Sequence, residues 1–209
     1  MTKFLIKIRY LYIFIKSKFL KKKIQKNNLI LSNFKQIIKN YKFKSFWFFN
    51  NINIFDYYLP GNLNKKFKYL EIGSYEGLSL IYVLSKYKRA NVTAIDIINI
   101  LDKKIKKKFK NFQFIKSDSI LALRKLLLKK KYFDFIYVDG LHNGEHVIVD
   151  AIESFKLLKK GGKIMFDDFM SEDKNLNYQT REGLLYFLLF FKREIKILYF
   201  QNVLVIEKK

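Results

Sequence analysis

The chain has no cysteine, a single proline and only eight glycines among its 209 residues. The lack of cysteine excludes a disulfide framework and a thiolate metal site, and it favours a reducing, cytoplasmic location. Charged side chains interrupt the apolar N-terminus so often that its longest uncharged stretch is the six residues 10–15. That is too short for a secretory signal or a membrane span, so neither is expected.

Acidic residues are also scarce: 18 Asp and Glu stand against 42 Lys and Arg, which gives a net charge of +24. Such a charge is compatible with nucleic-acid or membrane partners. Only five of the basic residues are arginine, the side chain that recognises phosphate and guanine in bidentate fashion. Lys, Asn, Ile, Phe and Tyr share A/T-rich codons, so codon bias explains much of the charge, and specific nucleic-acid binding is not expected.

Apolar and aromatic side chains are abundant, at 50% and 18% of the residues. A chain of this length and composition is expected to bury a sizeable core as one folded domain. Residues 1–45 are basic and aromatic-rich, and they predict a helical N-terminal extension to a main domain over 46–209. The extension could pack on its own domain, or it could lie on an anionic membrane surface or a partner protein.

From Phe67 onward, short apolar runs alternate with amphipathic stretches of helical spacing. The predicted strands are KYLEIG, NVTAID, FQFIKSD, FDFIYVDG and, after a Gly161-Gly162 turn, KIMFDDF. Strand–helix alternation with apolar strands indicates a parallel sheet covered on both faces. The last two strands, IKILYFQ and VLVIEKK, are nearly adjacent and must be antiparallel. The prediction is an α/β fold with a Rossmann-like, seven-stranded, mostly parallel sheet, an antiparallel C-terminal hairpin and helices on both faces.

Carboxylates concentrate where the predicted parallel strands end. The acids at these positions are Glu71, Asp96, Asp118, Asp139, Asp167 and Asp168. Ligands of open α/β sheets bind at this edge, and codon bias toward lysine does not explain acids there. An acid-lined rim suits ribose hydroxyls, a cationic ligand or a divalent metal, and it disfavours phosphate.

The glycine loop GSYEG at residues 73–77 is likewise unsuited to phosphate. It contains no Gly-Lys-Ser/Thr, and Tyr75 stands where a dinucleotide fingerprint needs a glycine. S-adenosylmethionine carries ribose hydroxyls, an ammonium and a sulfonium, so it matches both the loop and the acidic rim.

Two segments of the chain resemble a known family. The block YLEIGSYEGLSL at 69–80 resembles the first motif of class I S-adenosylmethionine-dependent methyltransferases. The segment FDFIYVDGLHNGEHVIVDAIESFKLLKKGGKIMFDDF is similar to the family with a VDG-x-H turn and a later GG-x4-DD, which is related to macrolide and sugar O-methyltransferases. The resemblance covers about residues 45–209. It departs from the family after Asp168, where MSEDKNLNYQT lacks an expected proline.

The resemblance implies a role for each strand-end residue. The implied S-adenosylmethionine site comprises Glu71, Gly73, Ser74, Gly77, Asp96, Asp118, Ser119 and Asp139. Within this site, Asp96 would accept hydrogen bonds from the ribose hydroxyls, while Asp118 and Ser119 would face the adenine. The resemblance also implies Mg²⁺ on Asp139, Asp167 and Asp168, with His142 as general base. The implied reaction is O-methylation of a small hydroxylated acceptor, such as a sugar, a polysaccharide precursor or a secondary metabolite.

Other interpretations stay open at this point. Asp96 could cap a helix and Asp139 could be structural in its turn. Asp168 could face away, since consecutive strand residues point to opposite faces. Trp47 could reach the substrate pocket, although tryptophan is more typical of a core. For the whole protein, the alternatives are an RNA or protein methyltransferase that uses the basic surface, and a catalytically inactive binding protein on the same fold. The intact acidic set argues against inactivity.

Overall fold

The computed structural model describes residues 3–25, 28–170 and 179–209. The helices are α1 (Lys3–Gln25), α2 (Asn28–Ile38), α3 (Ile52–Tyr58), α4 (Leu78–Lys86), α5 (Lys103–Lys108), α6 (Ser119–Leu128), α7 (Gly144–Leu157) and α8 (Thr180–Phe190), with a short 3₁₀ helix at Trp47–Asn50. The strands are β1 (Lys68–Ile72), β2 (Asn91–Asp96), β3 (Phe112–Lys116), β4 (Phe133–Val138), β5 (Leu158–Phe166), β6 (Ile195–Phe200) and β7 (Leu204–Lys208). Most of the loop that lacks the expected proline lies outside the described residues.

The seven strands form one sheet in the order β3-β2-β1-β4-β5-β7-β6. Strands β1 to β5 are parallel, and β7 runs antiparallel to both of its neighbours, β5 and β6. Only residues 201–203 separate β6 from β7, so these strands pair as a hairpin. The predicted mostly parallel sheet with an antiparallel C-terminal hairpin is confirmed.

Alternating side chains of the central strands build two cores, one on each face of the sheet. Tyr69 of β1 and Phe135 of β4 join a core that is covered by the N-terminal helices and α4. Leu70 and Ile136 point the other way, into a core that is covered by α6, α7 and α8. Both faces of the parallel strands are therefore buried, and the strand ends are left as the accessible edge of the sheet.

The Gly161-Gly162 pair does not form the predicted turn between α7 and β5. Strand β5 begins directly after α7 and continues through both glycines, and its pairing with β4 shifts register between Phe133 and Phe135. Gly161 has a φ of +73°, a conformation that glycine adopts readily. The two glycines therefore absorb an irregularity within a strand, where the sequence predicted a turn that precedes one.

The N-terminal extension is helical, as predicted, and it packs on the domain. Helix α1 lies against the edge strand β6. Helix α2 contributes Phe34, whose ring meets Tyr82 edge-to-face with centroids 5.1 Å apart. The domain boundary near residue 45 stays a prediction, because Phe34 shares a core with residues on both sides of it. Among the helices of the described ranges, none is long and apolar enough to cross a lipid bilayer.

Candidate active site

A cavity of about 630 Å³ opens at the carboxyl ends of β1, β4 and β5. The strand order reverses here, since β4 follows β1 in the sheet, and such switch points are where open α/β sheets bind ligands. The volume suits a small molecule. The walls are the loop after β1, the aromatic segment around Trp47, the turns after β4 and β5, and Asn202 between β6 and β7.

The glycines of the β1–α4 loop are required by how closely the loop approaches its neighbours. Gly73 has a φ of +78°, and a Cβ there would lie 1.8 Å from the backbone oxygen of Asp139. Gly77 has a φ of +84°, and its Cβ would lie 2.7 Å from a methyl group of Leu101. The contact at Gly73 brings the loop against the turn after β4, and both line the cavity.

Ser74, between these glycines, is suited to hold a polar ligand. Its side chain lines the cavity and is buried, with 4% of the residue exposed. Its hydroxyl has no hydrogen-bond partner within the described chain. Buried hydroxyls are normally paired, so an unpaired one beside the cavity is a candidate contact for a bound ligand.

Glu71 does not line the cavity but lies fully buried behind its wall. Its carboxylate accepts hydrogen bonds from the hydroxyls of Tyr69 and Ser79, and Ser79 in turn lines the cavity. Burial raises the pKa of Glu71 to about 7, because these two neutral donors compensate only part of the lost solvation.

The predicted cofactor residues Asp96, Asp118 and Ser119 do not line the cavity. Each of them forms hydrogen bonds with other parts of the protein. Asp96 accepts from the backbone N–H groups of Tyr75 at 2.8 Å and Ile98 at 3.0 Å, and thereby ties the glycine loop to the end of β2. Asp118 caps α6, and the hydroxyl of Ser119 donates to a carboxylate of α7 at 2.7 Å. Their contacts with ribose and adenine remain predictions.

Asp139, His142 and Asp168 converge at the cavity. One ligand atom of each lies within 4.8 Å of the other two, and His142 Nε2 is 3.5 Å from Asp168 Oδ2. The alternative that Asp168 faces away is wrong, because β5 ends at Phe166 and Asp168 has a left-handed φ of +50°.

The electrostatics of this cluster follow from its burial. Burial raises the pKa of Asp139, and the neighbouring carboxylates of Asp167 and Asp168 raise it further. Burial lowers the pKa of His142, whereas Asp168 acts in the opposite direction. Packed carboxylates of this kind repel one another and favour a cation or a proton between them.

Asp167 faces the cavity but is held by neutral donors. It accepts from Asn51 Nδ2 at 2.7 Å, from the hydroxyl of Tyr137 and from the backbone N–H of Asp168 at 2.9 Å. Burial raises its pKa to about 6. The amide of Asn202 donates in turn to Asn51. Sequence reasoning missed Asn51, Tyr137 and Asn202, since no local pattern marks contacts between such distant positions.

Trp47 stands at the cavity mouth. It is 76% exposed and stacks on Tyr75, with ring centroids 6.4 Å apart and planes 21° apart. Glu76 accepts from the backbone N–H groups of Lys44 at 2.8 Å and Ser45 at 3.1 Å, and so fastens the aromatic segment to the glycine loop. Of the two positions that the sequence left open for Trp47, the structure shows the one at the cavity and not the one in the core.

The donor set of the three-residue cluster fits a hard divalent cation. Two carboxylates offer oxygen ligands, and burial raises the pKa of each carboxyl because it disfavours the charged form, which a cation would stabilise. The cavity that these residues line also leaves space for water. His142 offers one further nitrogen. The predicted magnesium ligands Asp139 and Asp168 are thus brought together, while Asp167 lies beside them with its oxygens bonded to protein donors.

Residues 70–169 match the model of a protein family described as a methyltransferase domain. Among curated proteins, the uncharacterized protein R132 of Acanthamoeba polyphaga mimivirus is 29% identical over 113 residues, which cover 48% of this chain and 51% of that protein.

Solved structures share the fold. The MycE methyltransferase from the mycinamycin biosynthetic pathway, in complex with Mg, SAH and mycinamycin VI, superposes with a TM-score of 0.64 at 21% identity, covering 87% of this chain and 54% of that one. The O-methyltransferase from Bacillus cereus in complex with SAH superposes with a TM-score of 0.60 at 13% identity, covering 94% and 99%. The chain spans about half the length of R132 and of MycE.

Proposed function

We propose that this chain, whose residues 70–169 match a family model described as a methyltransferase domain, transfers the methyl group of S-adenosylmethionine to a hydroxyl of a small acceptor. The observation that carries the proposal is the convergence of Asp139, His142 and Asp168 in the cavity that the glycine loop also lines. A donor on one wall and a base on the other would place an acceptor hydroxyl between them, and such positioning is a large part of catalysis for this kind of displacement.

The β1–α4 loop is the proposed binding wall for the donor. The unpaired hydroxyl of Ser74 and the close backbone of Gly73 and Gly77 would contact its amino-acid moiety. Asp96 sits at the end of the neighbouring strand and accepts two N–H groups. A carboxylate has about four acceptor sites, so Asp96 can also accept ribose hydroxyls.

His142 is the proposed general base. Its lowered pKa keeps the imidazole neutral near neutral pH, so that it can accept a proton. Asp168 lies 3.5 Å from Nε2 and would stabilise the imidazolium that forms. As the acceptor oxygen loses its proton to His142, it forms a bond to the methyl carbon. The carbon–sulfur bond breaks, and its electron pair goes to sulfur.

Magnesium is the proposed metal. Asp139 and Asp168 would hold it, with Asp167 beside them. A bound Mg²⁺ supplies a Lewis acid that makes a coordinated hydroxyl easier to deprotonate. In its absence the chain itself still orients the acceptor and accepts the proton.

The proposed acceptor is a hydroxylated ring, such as a sugar, a polysaccharide precursor or a secondary metabolite. The stacked pair of Trp47 and Tyr75 presents an aromatic face at the cavity mouth, and aromatic faces pack against apolar ring surfaces. MycE, which shares the fold, was crystallised with mycinamycin VI, and that supports an acceptor of this kind.

The proposal is tested by measuring SAH formation from S-adenosylmethionine with a panel of hydroxylated sugars and macrolides. We expect His142→Ala to lower kcat by about 100-fold or more, as for loss of a general base. The matched control is His146→Ala, because His146 is the other histidine of the chain and its Nδ1 lies 2.8 Å from Asn143 Oδ1, outside the cluster.

The possible outcomes separate the parts of the proposal. If His142→Ala keeps the full kcat, His142 is not the general base, but the proposed methyl transfer stands. If EDTA does not affect turnover, the reaction does not require the proposed metal. Failure of the chain to consume S-adenosylmethionine with any acceptor, together with failure to bind it, contradicts the proposed function as a whole.

A further inference from the structure

Helix α1 has an outward face whose apolar side chains are exposed. Leu11, Tyr12, Ile15 and Phe19 have 58%, 64%, 45% and 69% of their surface exposed. Leu11, Ile15 and Phe19 are spaced by four residues and Tyr12 precedes Phe19 by seven, so all four share one side of the helix. This strip lacks a covering element within the part of the chain that the structure describes.

The opposite face of α1 is occupied by the domain. The hydroxyl of Ser17 accepts from the backbone N–H of Phe200 at 3.0 Å, and Gln201 Nε2 donates to the carbonyl of Phe14 at 3.0 Å. Ser17 and Ile24 are buried there. The helix therefore has two apolar sides, which is why its sequence has no clean polar face. Only one of these two sides packs against β6 and the rest of the domain.

Lysines border the exposed strip on both edges. Lys18 follows Leu11 by seven positions, which places it along one edge, with its ammonium 4.8 Å from the ring centroid of Phe14. On the other edge, Lys16 follows Tyr12 and Lys23 follows Phe19, each by four positions. Carboxylates are missing from the first 55 residues of the sequence, so nothing on this helix neutralises the lysines.

We propose that this face of α1 binds the surface of an anionic lipid bilayer, with the strip in the acyl–headgroup boundary and the flanking lysines on lipid phosphates and carboxylates. An apolar strip bordered by lysines is the pattern of helices that lie in the membrane interface, because the lysine stems extend the ammonium groups toward the headgroups. This surface is separate from the methyl-transfer cavity, so the proposal does not depend on the proposed function.

Two other occupants fit the charge and the apolar strip less well. A second copy of the chain, docked through the same strip, would bring like-charged lysines together along both edges, which costs free energy. A nucleic acid would satisfy the lysines but would leave the large apolar strip against phosphate. An anionic bilayer is complementary to the lysines and to the strip at once.

A residue that holds α1 on the domain is adjacent in sequence to a residue that lines the cavity. Gln201, which bonds to α1, is followed by Asn202, which lines the cavity. A bilayer bound to α1 is therefore attached to the same end of β6 that contributes to the cavity wall.

The test is co-sedimentation of the full chain with vesicles of phosphatidylcholine alone or of phosphatidylcholine with phosphatidylserine. We expect binding to the anionic vesicles that weakens as salt is raised, and little binding to the neutral ones. Ile15→Ser with Phe19→Ser should lower partitioning by about tenfold or more, because two large apolar side chains no longer enter the interface. The matched control is Leu121→Ser with Leu128→Ser, which removes two exposed leucines of α6.

A second double variant tests the contribution of the lysines. Lys16→Gln with Lys23→Gln should lower partitioning by about fivefold for each lysine, as expected for a lysine near an anionic surface. The control is Lys103→Gln with Lys107→Gln in the exposed basic run of α5, which removes the same charge elsewhere. All the substituted side chains are exposed, so circular dichroism should confirm an unchanged fold.

Four results would overturn the proposal. The first is failure of the wild-type chain to bind the anionic vesicles, and the second is equal binding to the neutral ones. The third is equal losses in the α1 variants and their controls, which would mean that binding follows net charge alone. A dimer in sedimentation velocity that dissociates in the Ile15/Phe19 variant would instead assign the strip to a second copy.

Discussion

Replacing Glu71 with glutamine is expected to stabilise the fold at alkaline pH and to have a much smaller effect in acid. Burial raises the pKa of Glu71 to about 7, whereas an ordinary glutamate titrates near 4.5. The unfolded chain therefore releases this proton at lower pH than the folded chain does. As pH rises from the ordinary value to the folded one, the fold loses stability, and above pH 7 the full cost of about 3 kcal/mol is present. Glutamine stays neutral at both pH values, so a buried charge does not destabilise the folded variant.

Urea unfolding of both proteins, followed by circular dichroism at about pH 5 and about pH 8.5, measures the effect. The substitution also changes hydrogen bonds to Tyr69 and Ser79, but that change is present at both pH values. The difference between the two pH values therefore isolates ionisation, and it should approach 3 kcal/mol in favour of the variant. Glu145→Gln, at an exposed position in the first turn of α7, should show no such difference. Equal effects of Glu71→Gln at both pH values would refute the reasoning.

Three further substitutions test the walls of the cavity. Gly73→Ala should destabilise the fold by about 3 kcal/mol or more, because its Cβ would lie 1.8 Å from the backbone of Asp139. Gly61→Ala, with open space around it, should stay within about 0.5 kcal/mol in the same urea titration. Ser74→Ala should weaken calorimetric SAH binding by about fivefold and leave stability unchanged, since its hydroxyl has no protein partner. Asn51→Ala should cost about 1–3 kcal/mol in urea unfolding, because the buried carboxylate it bonds loses a donor.

The alternation of strands and helices was predictable because each parallel strand is buried on both faces and so reads as an apolar run. The meeting of Asp139 and Asp168 followed from the same logic, since parallel strands end at one edge of the sheet. The predicted fold is confirmed, and residues 70–169 match a family model described as a methyltransferase domain, whereas the residue roles, the metal and the cytoplasmic location stay predictions.

What could not be predicted depends on tertiary contacts. Asn51 bonds to Asp167 from a position 116 residues away, and no local pattern encodes such a pairing. Neighbouring residues of the 3₁₀ helix point to different sides, so Phe48 enters the core and Trp47 reaches the cavity mouth. At Gly161 the two glycines lie within β5, where its pairing with β4 shifts register, and not in a turn that precedes the strand.

The most direct test of the central claim is a crystal structure of the chain with SAH and Mg²⁺. The account predicts SAH in the cavity with its amino-acid end along residues 73–77, and the ion on the carboxylates of Asp139 and Asp168. SAH bound outside this cavity, or an ion that is held without these two carboxylates, would contradict it.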